Sequence, residues 1–576
     1  MPSGKLRRMR GVPWRLLAAG CLTALLLDLP FPIAGPLPYW RSIFAWFALT
    51  PLLAGLLRMD FARRRRWVLG WSFVAGWLTG ALWFGANCYW VYDTMHLYGG
   101  MGKPMAVVCL LAFSLYLGFW FGVFALALAL LRRATVGGRY AWVSVAATPF
   151  FWVGMEFALA RIPEFPWDLL GYSQVDNGLL MRLAPWTGIY GISFVVAAVN
   201  ALVIGADFWS RPVKRERRSL YYRSVLSNFL ILIIVVLAKL GLGEVFKPPV
   251  PAATATAVLV QPNLDVDKDD VWVGPQWDQH IAQFTKLAGS TCPPKEFMGI
   301  PEMGAAPVKI NPVDCWWSPL PNLVVWPESP APFRDADPRF QSAMESVAQA
   351  DKAPMIVGAV GMDEVPGAAQ YQIYNSAVVV AQDGHFVGRY DKIHLVPFGE
   401  YVPFRRLLFF VKQITQSLVD TGTGTERKVF RLAPPAGTGD SQAHRYGVFI
   451  CYESVFGDEV RQFARLGAEV FVNISDDGWY GDTSAPWQHL NMARMRAIEN
   501  RRWILRDTNN GVTASIDPYG AVRQSIPRHE VGALAARYGF NSELTFYTVH
   551  GDWVGWICAI LALGMTGWAA RALLYS

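Results

Sequence analysis

Apolar residues run in this chain for lengths that a soluble protein has no use for. Eight stretches are long and apolar enough to span a bilayer, or nearly so, which takes about 20 residues of helix. Their limits fall near Val12–Phe31, Ile43–Leu57, Trp67–Ala86, Met105–Leu131, Ala141–Ala160, Tyr190–Trp209, Val225–Leu242 and Val554–Leu574. The second is short, so its helix is expected to tilt little or to begin earlier. The first resembles a signal peptide in length. It lacks a small-x-small cleavage site and further spans follow it, so it is read as retained.

Between Pro249 and Thr548 the pattern changes to that of a globular domain. Short β-rich runs recur at Ala257–Val260, Leu323–Trp326, Met355–Gly358, Ser376–Val380, Gly447–Ile450 and Val470–Ile474. Helical periodicity appears between some of them, at Arg339–Gln349 and Trp487–Arg502. Alternating strands and helices predict an α/β sandwich with a mostly buried sheet. The stretch Leu287–Pro321 has no period and is rich in Pro and Gly, so it reads as a surface insertion. The expected organisation is a seven-helix membrane domain over 1–248, the α/β domain over 249–548, and a last membrane helix over 549–576.

Composition agrees: 53% of residues are hydrophobic, 17% are charged, and there are 25 Trp. The net charge of +8 would suit nucleic acid only if it formed a face with stacking or base-reading residues. It does not. The basic residues lie in short runs between apolar stretches: Lys5, Arg7, Arg8 and Arg10; Arg63 to Arg66; Arg132, Arg133 and Arg139; Arg211, Lys214, Arg215, Arg217 and Arg218. The alternate loops carry only Arg41, Lys103, Arg161 and Arg182. By the positive-inside rule the basic loops are cytoplasmic, the α/β domain lies outside, and both termini lie inside. Within the spans, Glu156 is an ionisable group that calls for a function or a partner, whereas Lys239 sits near an outer end and is expected to snorkel.

The seven cysteines form no C-x-x-C pair and no zinc spacing. Cys21, Cys109 and Cys558 lie in apolar segments and read as packing residues. Three polar groups stand where apolar strands end. Leu323-Val-Val-Trp326 runs into Pro327-Glu328, and Gly447-Val-Phe-Ile450 runs into Cys451-Tyr452-Glu453. Between them lies Tyr390-Asp-Lys392-Ile-His394-Leu-Val-Pro-Phe-Gly-Glu400. A thiol becomes a strong nucleophile once a base takes its proton, and a lysine nearby favours the thiolate and stabilises an oxyanion. On residue type alone, a Cys at a strand end is more often core and a Glu after Pro more often a helix cap. Asp476, Asp477 and Asp482 hint at a metal, but nothing completes a site and turn hydrogen bonds account for them better.

These words resemble the nitrilase superfamily, in which Glu, Lys and Cys come in this chain order. They are Trp326-Pro-Glu328, Asp391-Lys392-x-His394-Leu-Val-Pro-Phe-Gly-Glu400-Tyr-Val-Pro403, Cys451-Tyr-Glu453, Asn473-Ile-Ser-Asp-Asp-Gly-Trp479 and Arg496-Ala-Ile-Glu499. His394-Leu-Val-Pro-Phe-Gly-Glu400, together with Phe165-Pro-Trp-Asp-Leu-Leu-Gly-Tyr-Ser-Gln174 after the fifth span, resembles the superfamily's membrane-bound branch, the apolipoprotein N-acyltransferases. The resemblance covers nearly the whole chain and implies an αββα sandwich beside a bundle of eight membrane helices.

It also implies a reaction: Cys451 takes an acyl group from a phospholipid as a thioester and passes it to the α-amine of a diacylglyceryl-cysteine at a lipoprotein N-terminus. Glu328 would then be the general base, and Lys392 the oxyanion donor with the backbone N–H of Tyr452. Glu400 would orient the lysine, and Tyr452, Glu453 and Trp277 would face substrate. His394 would be structural rather than half of a Cys–His dyad. No metal and no cofactor is implied, nucleic acid is not a partner, and nothing calls for an obligate second subunit, so the chain is read as a monomer. The apolar loop Phe404–Phe410 would dip toward lipid and cover the site. An outer, oxidising location would let Cys292 and Cys315 close the insertion with a disulfide. The competing reading is a membrane-anchored nitrilase-type amidase, with water as the acceptor.

Overall fold

The computed structural model describes residues 12–59, 65–135, 141–209, 251–266, 275–289, 321–328, 333–365, 371–397, 399–401, 421–434 and 442–574. The expected seventh span, most of the insertion with Cys292 and Cys315, the Phe404–Phe410 loop and most of the basic loop residues lie outside them. The chain divides into two compact units: residues 1–89, 107–247 and 552–576, and residues 90–106 and 248–551.

The first unit is helical, and six stretches of it, among the described residues, are long and apolar enough to cross a membrane. The first expected span is not one of them. Its helix, Trp14–Asp28, has 15 residues and stops before Pro30 and Pro32, where the ring removes a backbone donor and restricts the preceding residue. The second begins earlier than the apolar run suggested, as a 3-10 turn over Tyr39–Trp46 followed by a helix over Thr50–Leu57 with Pro51 in its first turn. The others are Arg65–Asn87, Lys103–Ala134, Ala141–Arg161, Ala184–Trp209 and Trp553–Ala572. The helix Ala184–Trp209 breaks at Gly188, whose φ of 62° is open to glycine without a Cβ clash.

The segment Phe165–Gln174 folds back into this unit. Trp167, Asp168 and Tyr172 are each 1% exposed. Its backbone, irregular and then a 3-10 turn over Leu170–Gln174, takes partners from neighbouring helices, as N–H groups left open among apolar helices must. Leu170 N donates to Glu156 Oε1 at 2.7 Å, and Gly171 N donates to Ser193 Oγ at 2.9 Å. Trp152 Nε1 donates to the same Glu156 oxygen at 2.9 Å, and Asn87 Nδ2 to Asp168 Oδ2 at 3.0 Å. Glu156 thus ties a loop to a helix, which accounts for a carboxylate in an apolar span.

The second unit is a sandwich of two six-stranded sheets. The strands are β1 (Ala255–Gln261), β2 (Leu323–Trp326), β3 (Met355–Glu364), β4 (Tyr371–Val380), β5 (Phe386–Asp391) and β6 (Val429–Leu432). There follow β7 (His444–Ile450), β8 (Val470–Ser475), β9 (Ile504–Thr508), β10 (Thr513–Ile516), β11 (Val522–Ile526) and β12 (Gly532–Tyr538). One sheet runs β12-β1-β2-β3-β4-β5 and the other β11-β10-β9-β8-β7-β6. The middle of each is parallel, β1-β2-β3 in one and β7-β8-β9 in the other. Parallel strands are buried on both faces and read as continuous apolar runs. Every residue of β2 and β8 is buried.

Outside the first sheet lie the helices Pro275–Ala288 and Pro338–Asp351. Phe284, Phe340, Met344 and Val347 pack there on Val258, Val324, Trp326, Met355 and Val357. The second of these helices starts as its sequence predicts. Asp337 accepts from Arg339 N, Pro338 fills the first turn, and Lys352 ends it with φ 51°. Helices Gly457–Arg465 and Ala485–Asn500 belong to the other half. An α/β domain of αββα layering was expected, and the two sheets are there.

One part of this unit comes from far up the chain. Residues 90–106 join the polar stretch, with a short helix over Trp90–Asp93 and a π turn over Thr94–Tyr98. Thr94 Oγ1 donates to Trp479 O at 3.0 Å. The rings of Trp90 and Tyr98 meet Tyr480 and Trp479 edge-on, at 5.1 and 5.9 Å.

Candidate active site

In a sheet with a parallel centre, the carboxyl ends of the strands are where side chains converge on a cleft. Cys451 follows β7 directly, Glu328 lies two residues beyond β2, and Lys392 follows β5. Cys451 is 5% exposed and opens a 3-10 turn over Cys451–Val455. Its φ of 49° puts it in the left-handed region, at a cost of order 1–3 kcal/mol for a residue with a Cβ. The turn around it overrides that strain.

Glu453 supplies much of the restraint. It is fully buried, and its Oε2 accepts from Ile450 N at 2.7 Å. Its Oε1 accepts from Tyr390 Oη, Ile393 N and His394 N at 2.8, 2.6 and 3.2 Å. One carboxylate therefore ties the turn that presents the thiol to the segment that presents the lysine. Lys392 is pinned from two sides, with its N donating to Asn375 O at 2.8 Å and its O accepting from Gly424 N at 2.8 Å. A Cβ on Gly424 would lie 2.0 Å from Asp391 O, so only glycine lets the two backbones approach.

The Lys392 side chain is 1% exposed. Its Nζ donates to Glu328 Oε1 at 3.2 Å and to Glu400 Oε1 at 3.0 Å. Asn375 Nδ2 donates to the same two oxygens, at 2.6 and 2.7 Å. The other oxygens are anchored by backbone: Glu328 Oε2 accepts from Asp476 N at 2.8 Å, and Glu400 Oε2 from Val396 N at 2.8 Å. Burial acts to lower the lysine pKa, but the Glu328 and Glu400 carboxylates outweigh it and hold the ammonium well above its ordinary range. Burial first, and the Glu328 charge second, push the Cys451 thiol well above its own range, with Lys392 opposing them. The resting site is thus a neutral thiol beside a stable cation. Its chemistry needs a proton acceptor for the thiol and offers a fixed positive charge to any anion that forms.

The remaining expected residues are placed as follows. Tyr452 is 3% exposed, with its ring edge-on to Phe456 at 5.2 Å. Trp277 is in the apolar layer under the outer helices, edge-on to Phe333 at 5.7 Å and with the Arg339 guanidinium 4.6 Å over its ring. The structure brings it to that layer and not into the polar network around Lys392. Glu453 faces inward, shaping the site from behind. His394 stacks on Phe456 at 4.4 Å and pairs with Glu459 at 3.1 Å, a structural place. Asp476 Oδ1 accepts from Gly478 N at 2.9 Å, the turn bond expected of it. Asn375 was missed, because a lone Asn in a strand belongs to no motif. Its neighbours Gln372 and Ser376 are polar as well, so composition gives it no signal of its own.

Two family models match the chain. The carbon-nitrogen hydrolase family matches residues 275–537, a range that holds Glu328, Lys392, Glu400 and Cys451. The apolipoprotein N-acyltransferase N-terminal domain matches residues 23–202, which holds Phe165–Gln174. An apolipoprotein N-acyltransferase of Geobacter metallireducens is 30% identical over 98% of this chain and 98% of its own. The chain belongs to the apolipoprotein N-acyltransferase family. Another apolipoprotein N-acyltransferase, of Pseudomonas putida, is 31% identical over 96% of both chains. Among solved structures, a nitrilase-superfamily member from Saccharomyces cerevisiae covers 52% of this chain and 97% of its own, at 16% identity and a TM-score of 0.34. As a member of the apolipoprotein N-acyltransferase family, the chain is a membrane-embedded acyltransferase.

Proposed function

We propose that Cys451 carries a fatty acyl group between two lipids. In the first half, Glu328 takes the thiol proton and the sulfur attacks an acyl ester of a phospholipid. The C–O bond breaks, the proton returns to the leaving oxygen, and an acyl-thioester and a lysophospholipid result. In the second half, the α-amine of a diacylglyceryl-cysteine at an apolipoprotein N-terminus attacks the thioester. The amide forms, the C–S bond breaks, and the amine proton passes by way of Glu328 to the sulfur. Each tetrahedral intermediate carries an oxyanion, which Lys392 meets as a charge already in place, together with the Tyr452 N–H. Glu400 shares the lysine with Glu328 and sets where its ammonium lies. Tyr452 and Glu453 shape the pocket, and Trp277 contributes from its own layer. The acyl carrier must be kept from water while it waits, since hydrolysis would discard the intermediate.

The charge pattern of the loops supports a place in the bacterial inner membrane with the catalytic domain over 249–548 outside and both termini in the cytoplasm. The protein acts as a monomer on this reading, on a phospholipid donor and a lipoprotein acceptor. The observation that carries it is a buried thiol at a strand end, served by a lysine that two carboxylates keep charged, in a chain of this family. Mass spectrometry of Cys451 peptides after incubation with labelled phospholipid is the test. An acyl adduct that disappears on adding a diacylglyceryl-peptide is expected. No adduct, with ammonia released from simple amides instead, would give the chemistry to an amidase.

A further inference from the structure

Around the nucleophile turn lies a second buried network that the two half-reactions leave unused. His489, on the helix Ala485–Asn500, is fully buried. Its Nε2 lies 3.0 Å from the carbonyl oxygen of Cys451 and 2.7 Å from Ser454 Oγ. Its Nδ1 lies 2.9 Å from Asp477 Oδ1 and 3.1 Å from Arg506 Nη2. Arg506 Nη2 also donates to Asp477 Oδ2 at 2.7 Å, and Ser475 Oγ donates to Asp477 Oδ1 at 2.9 Å. Hydroxyl, imidazole and carboxylate here stand in the order of a serine hydrolase relay. Ser454 has no exposed surface, so no ester reaches that hydroxyl. What the ring does reach is the peptide unit that follows the nucleophile.

A planar trans peptide sends its C=O and its N–H in opposite directions. The Cys451 carbonyl and the Tyr452 N–H belong to one such unit. A donor fixed on the carbonyl therefore sets where the N–H points, and it polarises the unit so that the N–H donates more strongly. The φ of 49° at Cys451 is not one that an L-residue holds unaided, so this peptide needs an anchor.

Resting on the acyl-transfer reading, we propose that His489 is a positioning residue for the oxyanion hole. With a proton on Nε2 it donates to the Cys451 carbonyl and so aims the Tyr452 N–H at the oxygen that turns negative when the thiol attacks. Asp477 Oδ1 only accepts, so Nδ1–H donates to it at 2.9 Å, and the ring makes both bonds when both of its nitrogens carry protons. Burial first, and the Arg506 charge second, hold the imidazole below its ordinary pKa, with Asp477 opposing. The bonds to Asp477 and to the Cys451 carbonyl act the other way and favour the ring that donates at both ends.

The test compares two reactions of one thiol in the full-length protein. Alkylation by iodoacetamide forms no oxyanion; acylation from mixed micelles of phosphatidylethanolamine and phosphatidylglycerol does. In His489→Leu, acylation should fall on the order of a hundredfold in rate constant with KM unchanged, while alkylation keeps its wild-type rate. In His489→Gln the amide nitrogen can stand in for Nε2, and on the order of tenfold should return. Acylation and alkylation falling together in both variants would mean that the ring only fills space. Unchanged acylation in the leucine variant, or no recovery with glutamine, would also overturn the proposal. A wild-type enzyme that alkylates normally but takes no acyl group from either lipid would sink the acyl-transfer reading, and this inference with it.

Discussion

Lys392 and Arg506 are both buried cations set against carboxylates, yet they are built for different ends. Lys392 follows a strand of the first sheet, and two of its three donors go to Glu328 and Glu400. That leaves one for an anion that forms during reaction. Arg506 lies within β9 of the second sheet, and its fork reaches Asn473, Asp477 and His489. A guanidinium so engaged is a lock, while an ammonium is a point charge that can turn toward a newcomer. Burial alone therefore does not mark a catalytic group. What separates the two networks is that the ammonium stands beside the thiol and can rotate its donors, whereas the planar guanidinium is fixed within a strand. Glu328 joins them, since the carboxylate that faces the lysine also accepts from Asp476 N, next to Asp477.

The comparison yields graded expectations. The largest effect belongs to the nucleophile: Cys451→Ala should lower transfer by about 10⁴-fold or more, with the melting temperature unmoved. Residual transfer near wild type in a labelled-phospholipid assay would remove Cys451 from the chemistry.

Arg506→Met comes next and should act on stability, because it strands a buried carboxylate. A loss of roughly 3–5 kcal/mol is expected in denaturant titration, largely recovered by adding Asp477→Asn. The same pair predicts an acid dependence. Burial would raise the Asp477 carboxyl, but Arg506 and His489 overcome it and hold it well below the usual range. A depressed folded-state pKa stabilises fully above the unfolded value, and that contribution is lost as pH falls through the folded one. Asp477→Asn should flatten the acid limb of the stability curve; an unchanged limb would show that another group sets it.

Lys392→Ala should cost on the order of a hundredfold in kcat. Wild-type turnover in that variant would place oxyanion stabilisation elsewhere and erase the contrast with Arg506. The smallest effect is that of Glu400→Gln, which keeps the shape and removes one of two charges on the lysine. About tenfold in kcat is expected, the scale of one hydrogen bond to a charged group. No change at all would reduce Glu400 to a surface partner.

How much of this could be read from the chain depended on whether a residue acts within its own segment. The parallel strands β2, β7 and β8 were legible because burial on both faces leaves an unbroken apolar run. Glu328 and Cys451 were legible because each closely follows such a run inside a recognisable word, and Lys392, which follows the edge strand β5, was legible by its word alone. Asn375, His489 and Arg506 were not. Their partners lie 25, 38 and 29 residues away in Glu400, Cys451 and Asp477, and no local pattern records such pairings. The membrane unit shows the same division. Long helices matched their apolar runs, whereas Pro30 and Pro32 cut the first short and Gly188 broke another, details that hydropathy averages away. Trp277 was named through the family resemblance alone, and no local pattern records that its ring packs against Phe333 under the Arg339 guanidinium.

The strip 90–106 bears on how the protein can be handled. Because the π turn and the Trp90 ring belong to the α/β unit, a fragment cut to begin at residue 249 would lack part of its own interior. Trp479 and Tyr480 would lose the aromatic cover that this strip gives them, in the turn that begins with Asp477. Such a fragment should bind hydrophobic dyes and clump on concentration. Supplying residues 90–106 on a linker, and not a longer tail of the fragment itself, is the repair that would let the sandwich be studied free of lipid.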